Sequence, residues 1–191
     1  MVEHRHLLNY VRAIGQRLEL PGQANYATVS TFAADLGNTM LFPALCGGGC
    51  LHIISQSLAT DPTALGNYFQ QHHIDCLKLV PSHLAALFAS EQPERLMPRQ
   101  RLVLGGETSH WELLKKAQEL KPDCLIFNHY GPTETTVGVL TYPYTKLHHS
   151  RDYSTQPISY EYNVSNTVPL GRPIANTHIY ILNTYQQPVP I

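Results

Sequence analysis

Short apolar runs alternate with amphipathic segments along most of this sequence, and that alternation restricts the fold more than any other feature. The apolar runs have the length of β-strands, and the segments between them have the spacing of helices. The predicted strands cover residues 26–32, 51–54, 76–80, 102–104 and 125–127. Because strands that alternate with helices favour a mostly parallel sheet flanked by helices, we predict an α/β fold.

Residues that begin or end helices stand between these strands. Gly47 to Gly49 predict the end of a helix over residues 39–46. Asp61 followed by Pro62 predicts a helix start, with the aspartate as N-cap. Ser82 is the predicted N-cap of the next helix, and a further helix is predicted over residues 109–120.

The C-terminal part of the sequence has a different pattern. Residues 141–167 contain five tyrosines and many Ser, Thr and Asn residues, without a helical period. Residues 168–191 have the pattern of turns and short strands. We therefore predict that the α/β part continues into an irregular, β-rich C-terminal part.

Composition and charge exclude several classes of protein. The 191 residues suffice for one α/β core, and a hydrophobic fraction of 43% with 14% charged residues predicts a packed globule. A net charge of −1 without a long Lys/Arg cluster argues against binding to nucleic acid or an anionic membrane. No apolar run reaches the length of a membrane span, and the N-terminus lacks the apolar core of a signal peptide. Four cysteines in a chain of this length fit a reducing, cytoplasmic location.

The segment NHYGPTETT, residues 128–136, follows the last predicted strand, where ligands bind in parallel sheets. Gly131-Pro132 predicts a turn that brings hydroxyl and carboxylate groups together. Threonine hydroxyls can bind phosphate oxygens, Glu134 can hold Mg²⁺, and Tyr130 offers a flat face to a base. By composition alone, the same segment is also typical of an ordinary polar turn.

This segment resembles the YGPTE signature of adenylate-forming enzymes, in the form found in the amino-acid adenylation domains of nonribosomal peptide synthetases. Three other segments resemble the same family in the same order: MVEHRHLLNYV at the start, ALCGGGCLHI at residues 44–53, and residues 168–190. The resemblance covers nearly the whole chain. It implies that the chain is part of the large N-terminal domain of an adenylate-forming enzyme.

The resemblance also implies a reaction and its partners. The full enzyme is expected to bind ATP, Mg²⁺ and an amino acid, to form an aminoacyl-AMP, and to pass the aminoacyl group to the phosphopantetheine thiol of a carrier domain. Peptidyl carrier and condensation domains of one assembly line are the implied partners. Residues 1–191 are expected to be a partial adenylation domain that lacks the upstream phosphate loop and the C-terminal subdomain. We therefore expect this segment to be inactive alone. The alternatives are another adenylate-forming ligase, for acyl-CoA or aryl acids, and a catalytically inert fragment.

Residue roles around ATP follow from the match to the signature. Glu134 is the implied Mg²⁺ ligand, and Thr133 and Thr136 are expected to contact the phosphate or substrate carboxylate. The residues expected to bind the nucleotide lie in the Gly-Gly-Glu turn and in the signature itself: Gly105, Gly106, Glu107, Asn128, Tyr130 and Gly131.

The resemblance also implies a pocket for the amino acid. Counting back from residues 44–53 places Asp35 where the family binds the substrate α-ammonium. An alternative register based on Phe32 places Ala33 there and leaves the ammonium unpaired. The predicted pocket consists of Asp35, Leu36, Thr39, Lys78, Val103, Gly105, His129, Val137 and Gly138.

Lys78 indicates the class of substrate. It stands alone in the apolar run 76–80, and a buried lysine without a partner is costly or deprotonated. A substrate side-chain carboxylate would be such a partner, and His129 could add a second hydrogen bond. This set resembles the pocket of aspartate-activating domains, with asparagine and β-substituted aspartates as close competitors. The alternatives are that Lys78 faces solvent on an edge strand and that His129 is only a core histidine.

Overall fold

The computed structural model describes residues 1–144 and 166–189. In these residues the strands form one seven-stranded sheet with the order β2-β1-β3-β4-β5-β6-β7. The strands are β1 (Asn25–Thr28), β2 (Cys50–Ile53), β3 (Cys76–Leu79), β4 (Arg101–Gly105), β5 (Leu125–Tyr130), β6 (Leu140–Tyr144) and β7 (Arg172–Pro173). The first five strands pair in parallel, and β6 and β7 are antiparallel. The predicted mostly parallel sheet is therefore confirmed.

Helices occupy the connections between the parallel strands. The α-helices are α1 (His4–Arg17), α2 (Asn38–Gly47), α3 (Gln56–Ala59), α4 (Pro62–His72), α5 (Pro81–Leu87) and α6 (Trp111–Leu120). The 3₁₀ helices are η1 (Asp35–Gly37), η2 (Pro93–Leu96) and η3 (Thr133–Thr135).

Two of the predicted helix boundaries are confirmed. The Asp61 carboxylate accepts a hydrogen bond of 3.0 Å from the backbone N–H of Ala64, so Asp61 is the N-cap of α4. Gly48 adopts a left-handed conformation with φ of 75° directly after α2, which ends the helix as the glycine run predicts.

The prediction that Ser82 is an N-cap is wrong. Helix α5 begins at Pro81, so Ser82 lies in its first turn. The backbone N–H and hydroxyl of Ser82 instead donate to the carboxylate of Glu107, at 3.0 and 2.9 Å. The carboxylate of Glu107, which follows β4, thus accepts the N–H that is left unpaired at the start of this helix. No local pattern around Ser82 indicates this contact.

Three element boundaries differ from those expected. Strand β1 ends at Thr28 and does not reach Phe32. Strand β5 continues to Tyr130, so the first three residues of the signature belong to the strand itself. The expected tail begins with β6, and its residues 145–165 lie outside the described residues.

The sheet separates two apolar cores, and the alternation of side chains in β3 decides what faces each. Leu77 and Leu79 pack with buried residues of α4, α5 and α6. Cys76 points to the opposite core, which α1 and α2 cover. Because side chains alternate along a strand, Lys78 shares the face of Cys76. Within the described residues, no helix combines the length and the apolar composition that spanning a bilayer requires.

Candidate active site

Lys78 is buried at the carboxyl end of an interior strand. Strand β3 lies between β1 and β4, and the side chain of Lys78 is only 1% exposed. Its Nζ donates to Oγ1 of Thr39 at 2.7 Å and lies 2.9 Å from Nδ1 of His129. The alternative that Lys78 faces solvent on an edge strand is therefore wrong.

Tyr10 completes this cluster, and the sequence interpretation missed it. Its hydroxyl lies 2.7 Å from Oγ1 of Thr39 and 3.3 Å from Nε2 of His129. The helix that carries it was also missed, although Leu7, Val11, Ile14 and Leu18 have the spacing of one helix face. That periodicity could have predicted α1, with Tyr10 on its buried side. We call Tyr10, Thr39, Lys78 and His129 the pocket network.

Burial controls the protonation of this network. Burial lowers the pKa of Lys78 to about 7, and the nearby Asp35 carboxylate opposes that shift. Burial, with a smaller contribution from the Lys78 charge, lowers the pKa of His129 well below its usual value. Burial also raises the pKa of Tyr10, which its hydrogen bond with Thr39 partly offsets. At neutral pH, His129 and Tyr10 are therefore neutral, and Lys78 is poised between its two forms.

Asp35 is the first residue of η1, which packs against β3. Its Oδ2 is one of two buried side-chain polar atoms without a hydrogen bond among the described residues. The ion pairs of the described residues do not include Asp35 with Lys78, so these opposite charges are not in direct contact. Phe32 is 61% exposed, which favours the register with Asp35 in the pocket over the register based on Phe32.

Glycines let the neighbouring chain approach His129 closely. A Cβ on Gly138 would stand 2.0 Å from Cε1 of His129, so only glycine fits there. A Cβ on Gly105 would stand 2.5 Å from the His129 carbonyl oxygen. The remaining predicted pocket residues lie around this centre: Val103 is paired with Lys78 in register, Leu36 is against Gly106, and Val137 is buried beside Gly138.

The turn that follows β5 is open to solvent. We call residues 132–135 the signature turn; all four are exposed, and η3 accounts for three of them. Thr136 and Val137 follow with φ of 72° and 65°, a left-handed conformation that is strained for β-branched residues. Of the predicted catalytic residues, Thr133 and Glu134 lie in the open turn, whereas Thr136 is buried.

Two predicted nucleotide contacts already have structural partners. The carboxamide of Asn128 accepts from the Ser109 hydroxyl at 3.0 Å and donates to the Pro169 carbonyl at 2.9 Å. Glu107 holds the start of α5 through Ser82, as described above. Tyr130, in contrast, is 45% exposed beside the turn and is free to stack against a base.

The donor set of the turn fits a magnesium ion held mainly by phosphate oxygens. The described residues contain no group of three or more His, Cys, Asp or Glu side chains that could hold a metal alone. Mg²⁺ bound through one or two carboxylates together with substrate phosphates needs no such group. Glu134 supplies one exposed carboxylate at the end of the sheet where nucleotides bind.

Comparison with known proteins shows similarity along the whole chain. The family model for AMP-binding enzymes matches residues 1–191. The chain is 33% identical to part of surfactin synthase subunit 2 of Bacillus subtilis, with 99% of this chain and 5% of that protein aligned. It is 31% identical to part of tyrocidine synthase 3 of Brevibacillus parabrevis, with 100% of this chain and 3% of that protein aligned. The chain thus spans a small fraction of the length of these relatives.

Solved structures have the same fold. A four-domain nonribosomal peptide synthetase bound to AMP and glycine superposes with a TM-score of 0.80 and 25% identity, over 99% of this chain and 13% of that chain. An adenylation domain of Vibrio cholerae, in complex with glycyl-adenosine-5'-phosphate, superposes with a TM-score of 0.76 at 18% identity, over 99% of this chain and 34% of that chain.

Proposed function

Because the chain belongs to the AMP-binding enzyme family, we propose that it forms the amino-acid pocket and part of the nucleotide site of an adenylation domain. The proposed whole protein is a nonribosomal peptide synthetase that activates aspartate or a close analogue. The similarity to two peptide synthetases along nearly the full chain supports the first part of this proposal. The pocket charges support the second part.

The observation that carries the substrate assignment is a pair of buried opposite charges that do not contact each other. Within residues 1–144 and 166–189, Asp35 has a buried carboxylate oxygen without a partner, and the amine of Lys78 is bound only to Thr39 and His129. Leaving a buried charge uncompensated is costly, so each calls for a ligand of opposite charge. Aspartate supplies both, because its α-ammonium can bind Asp35 and its β-carboxylate can bind Lys78.

The proposed reaction needs orientation and charge neutralisation more than acid–base catalysis. An oxygen of the substrate α-carboxylate attacks the α-phosphorus of ATP, and the bond from that phosphorus to the bridging oxygen of pyrophosphate breaks. The products are aminoacyl-AMP and pyrophosphate. Asp35 and Lys78 hold the two ends of the amino acid, so that its α-carboxylate is directed toward the nucleotide.

The signature turn is proposed to hold the phosphates. Glu134 would hold Mg²⁺, which would supply charge neutralisation at the phosphate oxygens, and the exposed hydroxyl of Thr133 is placed to donate to a phosphate oxygen. Tyr130 borders the adenine. In the second half-reaction the aminoacyl group passes to a phosphopantetheine thiol of a carrier domain, with carrier and condensation domains as partners. The four free cysteines fit a reducing cytoplasm as the place of this reaction.

ATP–pyrophosphate exchange by the whole protein, measured with each of the twenty amino acids, tests the proposal. We expect the largest exchange with aspartate and a smaller one with asparagine, which lacks the charge that Lys78 binds. Asp35→Asn should abolish exchange with every amino acid, because it removes the partner of the α-ammonium. Exchange supported by an aryl or fatty acid rather than an amino acid would instead identify a different adenylate-forming ligase.

A further inference from the structure

We propose that Tyr10 is a specificity-determining residue that acts through His129: its hydroxyl fixes which ring nitrogen of His129 carries the proton, and so directs the Lys78 ammonium to a substrate carboxylate. This inference rests on the proposed function, because it concerns how the same pocket selects its amino acid. Tyr10 lies on α1, which supplies none of the predicted pocket residues.

With Lys78 in its charged form, the hydrogen bonds of the pocket network fix the position of the proton on His129. An ammonium can only donate, so Oγ1 of Thr39 and Nδ1 of His129 both accept from Lys78. A neutral imidazole that accepts at Nδ1 carries its proton on Nε2. That proton is donated to the Tyr10 hydroxyl at 3.3 Å, and either hydroxyl can donate in the 2.7 Å bond between Tyr10 and Thr39.

Among the described residues, the network keeps an N–H of Lys78 and one hydroxyl O–H, that of Thr39 or Tyr10, without an acceptor, and the N–H is the charged donor available to a substrate. Lys78 has three N–H groups, of which Thr39 and His129 take two. The third N–H remains for a substrate carboxylate. Both ring nitrogens of His129 are occupied, which disagrees with the expectation that His129 adds a second hydrogen bond to the substrate. His129 therefore acts by positioning Lys78, and Tyr10 acts by holding His129.

Tyr10 is held firmly enough for this role. It is 1% exposed, and its ring contacts the His129 ring edge-on, with centroids 6.1 Å apart and an interplanar angle of 63°. Its phenol is kept protonated because burial raises its pKa. A neutral hydroxyl held 2.7 Å from Thr39 keeps a lone pair for Nε2 of His129, whichever of the two hydroxyls donates to the other.

Loss of the Tyr10 hydroxyl should weaken the charged form of Lys78. Without an acceptor near Nε2, His129 can place its proton on Nδ1, and that nitrogen then no longer accepts from the ammonium. Hydrogen bonds to a charged form stabilise it, so their loss lowers the pKa of Lys78 below its value of about 7. The other titratable groups around this amine are Asp35 from η1 and His129 from β5; removing the hydroxyl keeps both side chains and changes only which ring nitrogen of the neutral His129 carries the proton.

Tyr10→Phe in the whole protein tests the inference, with Tyr26→Phe as the matched control. Tyr26 is an equally buried tyrosine of the same core, but its hydroxyl donates to the backbone carbonyl of Pro21, away from Lys78. We expect Tyr10→Phe to lower kcat/KM for aspartate roughly tenfold to a hundredfold at pH 7.5, because the hydrogen bond from the charged Lys78 to Nδ1 of His129 is then lost. The value for asparagine should fall much less, and Tyr26→Phe should leave the aspartate-to-asparagine ratio unchanged.

Calorimetric titration with aspartate in buffers of different ionisation enthalpy gives a second readout, the number of protons taken up on binding. At pH 7 the wild-type protein should take up about half a proton, because Lys78 is then half protonated and aspartate binds its charged form. Tyr10→Phe should raise the uptake toward one proton. Aspartate that does not bind to the wild-type protein overturns the proposed function. Binding with the same proton uptake and the same selectivity in both tyrosine variants overturns the role of Tyr10 alone.

Discussion

The pocket network and the signature turn lie at the same end of the sheet, but they are held in opposite ways. The side chains of the network are at most 2% exposed, and each polar group has a partner within the protein. The signature turn is exposed, and among the described residues the side chains of Thr133 and Glu134 form no hydrogen bond. The network thus holds its side chains in place before a ligand arrives and keeps one N–H of Lys78 for it, whereas the turn offers exposed groups that form no hydrogen bonds in the described residues.

In the proposed function, this difference assigns substrate selectivity to the pocket network and the rate of the reaction to the signature turn. A preformed buried network costs no reorganisation when the amino acid binds, so it can discriminate among side chains by leaving groups unpaired when the wrong one enters. An exposed turn contributes little to folding, so its residues can be chosen for charge that develops during the reaction. The strained left-handed residues Thr136 and Val137 follow the turn directly and lead the chain to Gly138, which packs on His129.

Replacing Lys78 should have the largest effect on activity, because it removes the cation that is proposed to bind the side-chain carboxylate of the substrate. We expect Lys78→Met to lower kcat/KM for aspartate by roughly 10⁴-fold, since a site built for a polar group then leaves the substrate carboxylate unpaired. Exchange with leucine should rise, because Asp35 still binds its α-ammonium. Leu79→Met, on the opposite face of β3, controls for a change to the strand. Unaltered preference for aspartate in Lys78→Met would show that another residue selects the substrate.

Glu134→Gln should test the other region with a smaller effect. We expect kcat to fall on the order of 10²-fold, because the variant loses charge stabilisation in the transition state. The melting temperature and the preference for aspartate should stay the same, since Glu134 is exposed and lies outside the pocket network. Glu112→Gln, an exposed glutamate on α6, is the control. The rate should be measured over a range of Mg²⁺ concentrations. An unchanged rate with an unchanged dependence on Mg²⁺ would show that Glu134 has only a structural role.

The pH dependence of kcat/KM should differ between aspartate and asparagine, by about tenfold per pH unit. In the proposed function, aspartate binds the charged form of Lys78, whose pKa burial lowers to about 7. Above that pH the charged fraction falls about tenfold per unit, so kcat/KM for aspartate should decline from pH 7 to 8.5. The value for asparagine should change little over this range. Equal profiles for both substrates would mean that the charge of Lys78 does not take part in binding.

Local patterns predicted the presence of the five parallel strands along the chain and the start of α4. Each strand is visible as an apolar run in the sequence. The Asp61 cap lies three residues before Ala64, whose N–H donates to it. The Glu107 carboxylate that holds α5 stands 25 residues after Ser82, so the helix start looked self-capped from the sequence. The sequence therefore reveals those interactions whose two partners lie within a few residues of each other.

The pocket could be predicted only in part for the same reason. Thr39, Lys78 and His129 were assigned to one pocket by resemblance, and the structure brings them within hydrogen-bond distance. Tyr10 contacts Thr39 and His129 across 29 and 119 residues of sequence, and no local pattern encodes such a contact. The polar Asn128 and His129 also concealed the true length of β5, because their partners come from other elements of the fold.

The smallest effect should come from Glu107, which separates structural support from nucleotide contact at the same end of the sheet. Its carboxylate accepts two hydrogen bonds from Ser82 at the positive end of α5. We expect Glu107→Gln to lower the free energy of unfolding by about 0.5–1.5 kcal/mol, since a charge-assisted bond becomes a neutral one. The KM for ATP should change by less than about twofold, because Glu107 is expected to support α5 rather than to contact the nucleotide. A twofold change corresponds to about 0.4 kcal/mol of binding free energy. Ser82→Ala removes one partner, and the double variant gives the coupling between the two side chains. A large rise in the KM for ATP without loss of stability would return Glu107 to the predicted set of nucleotide contacts.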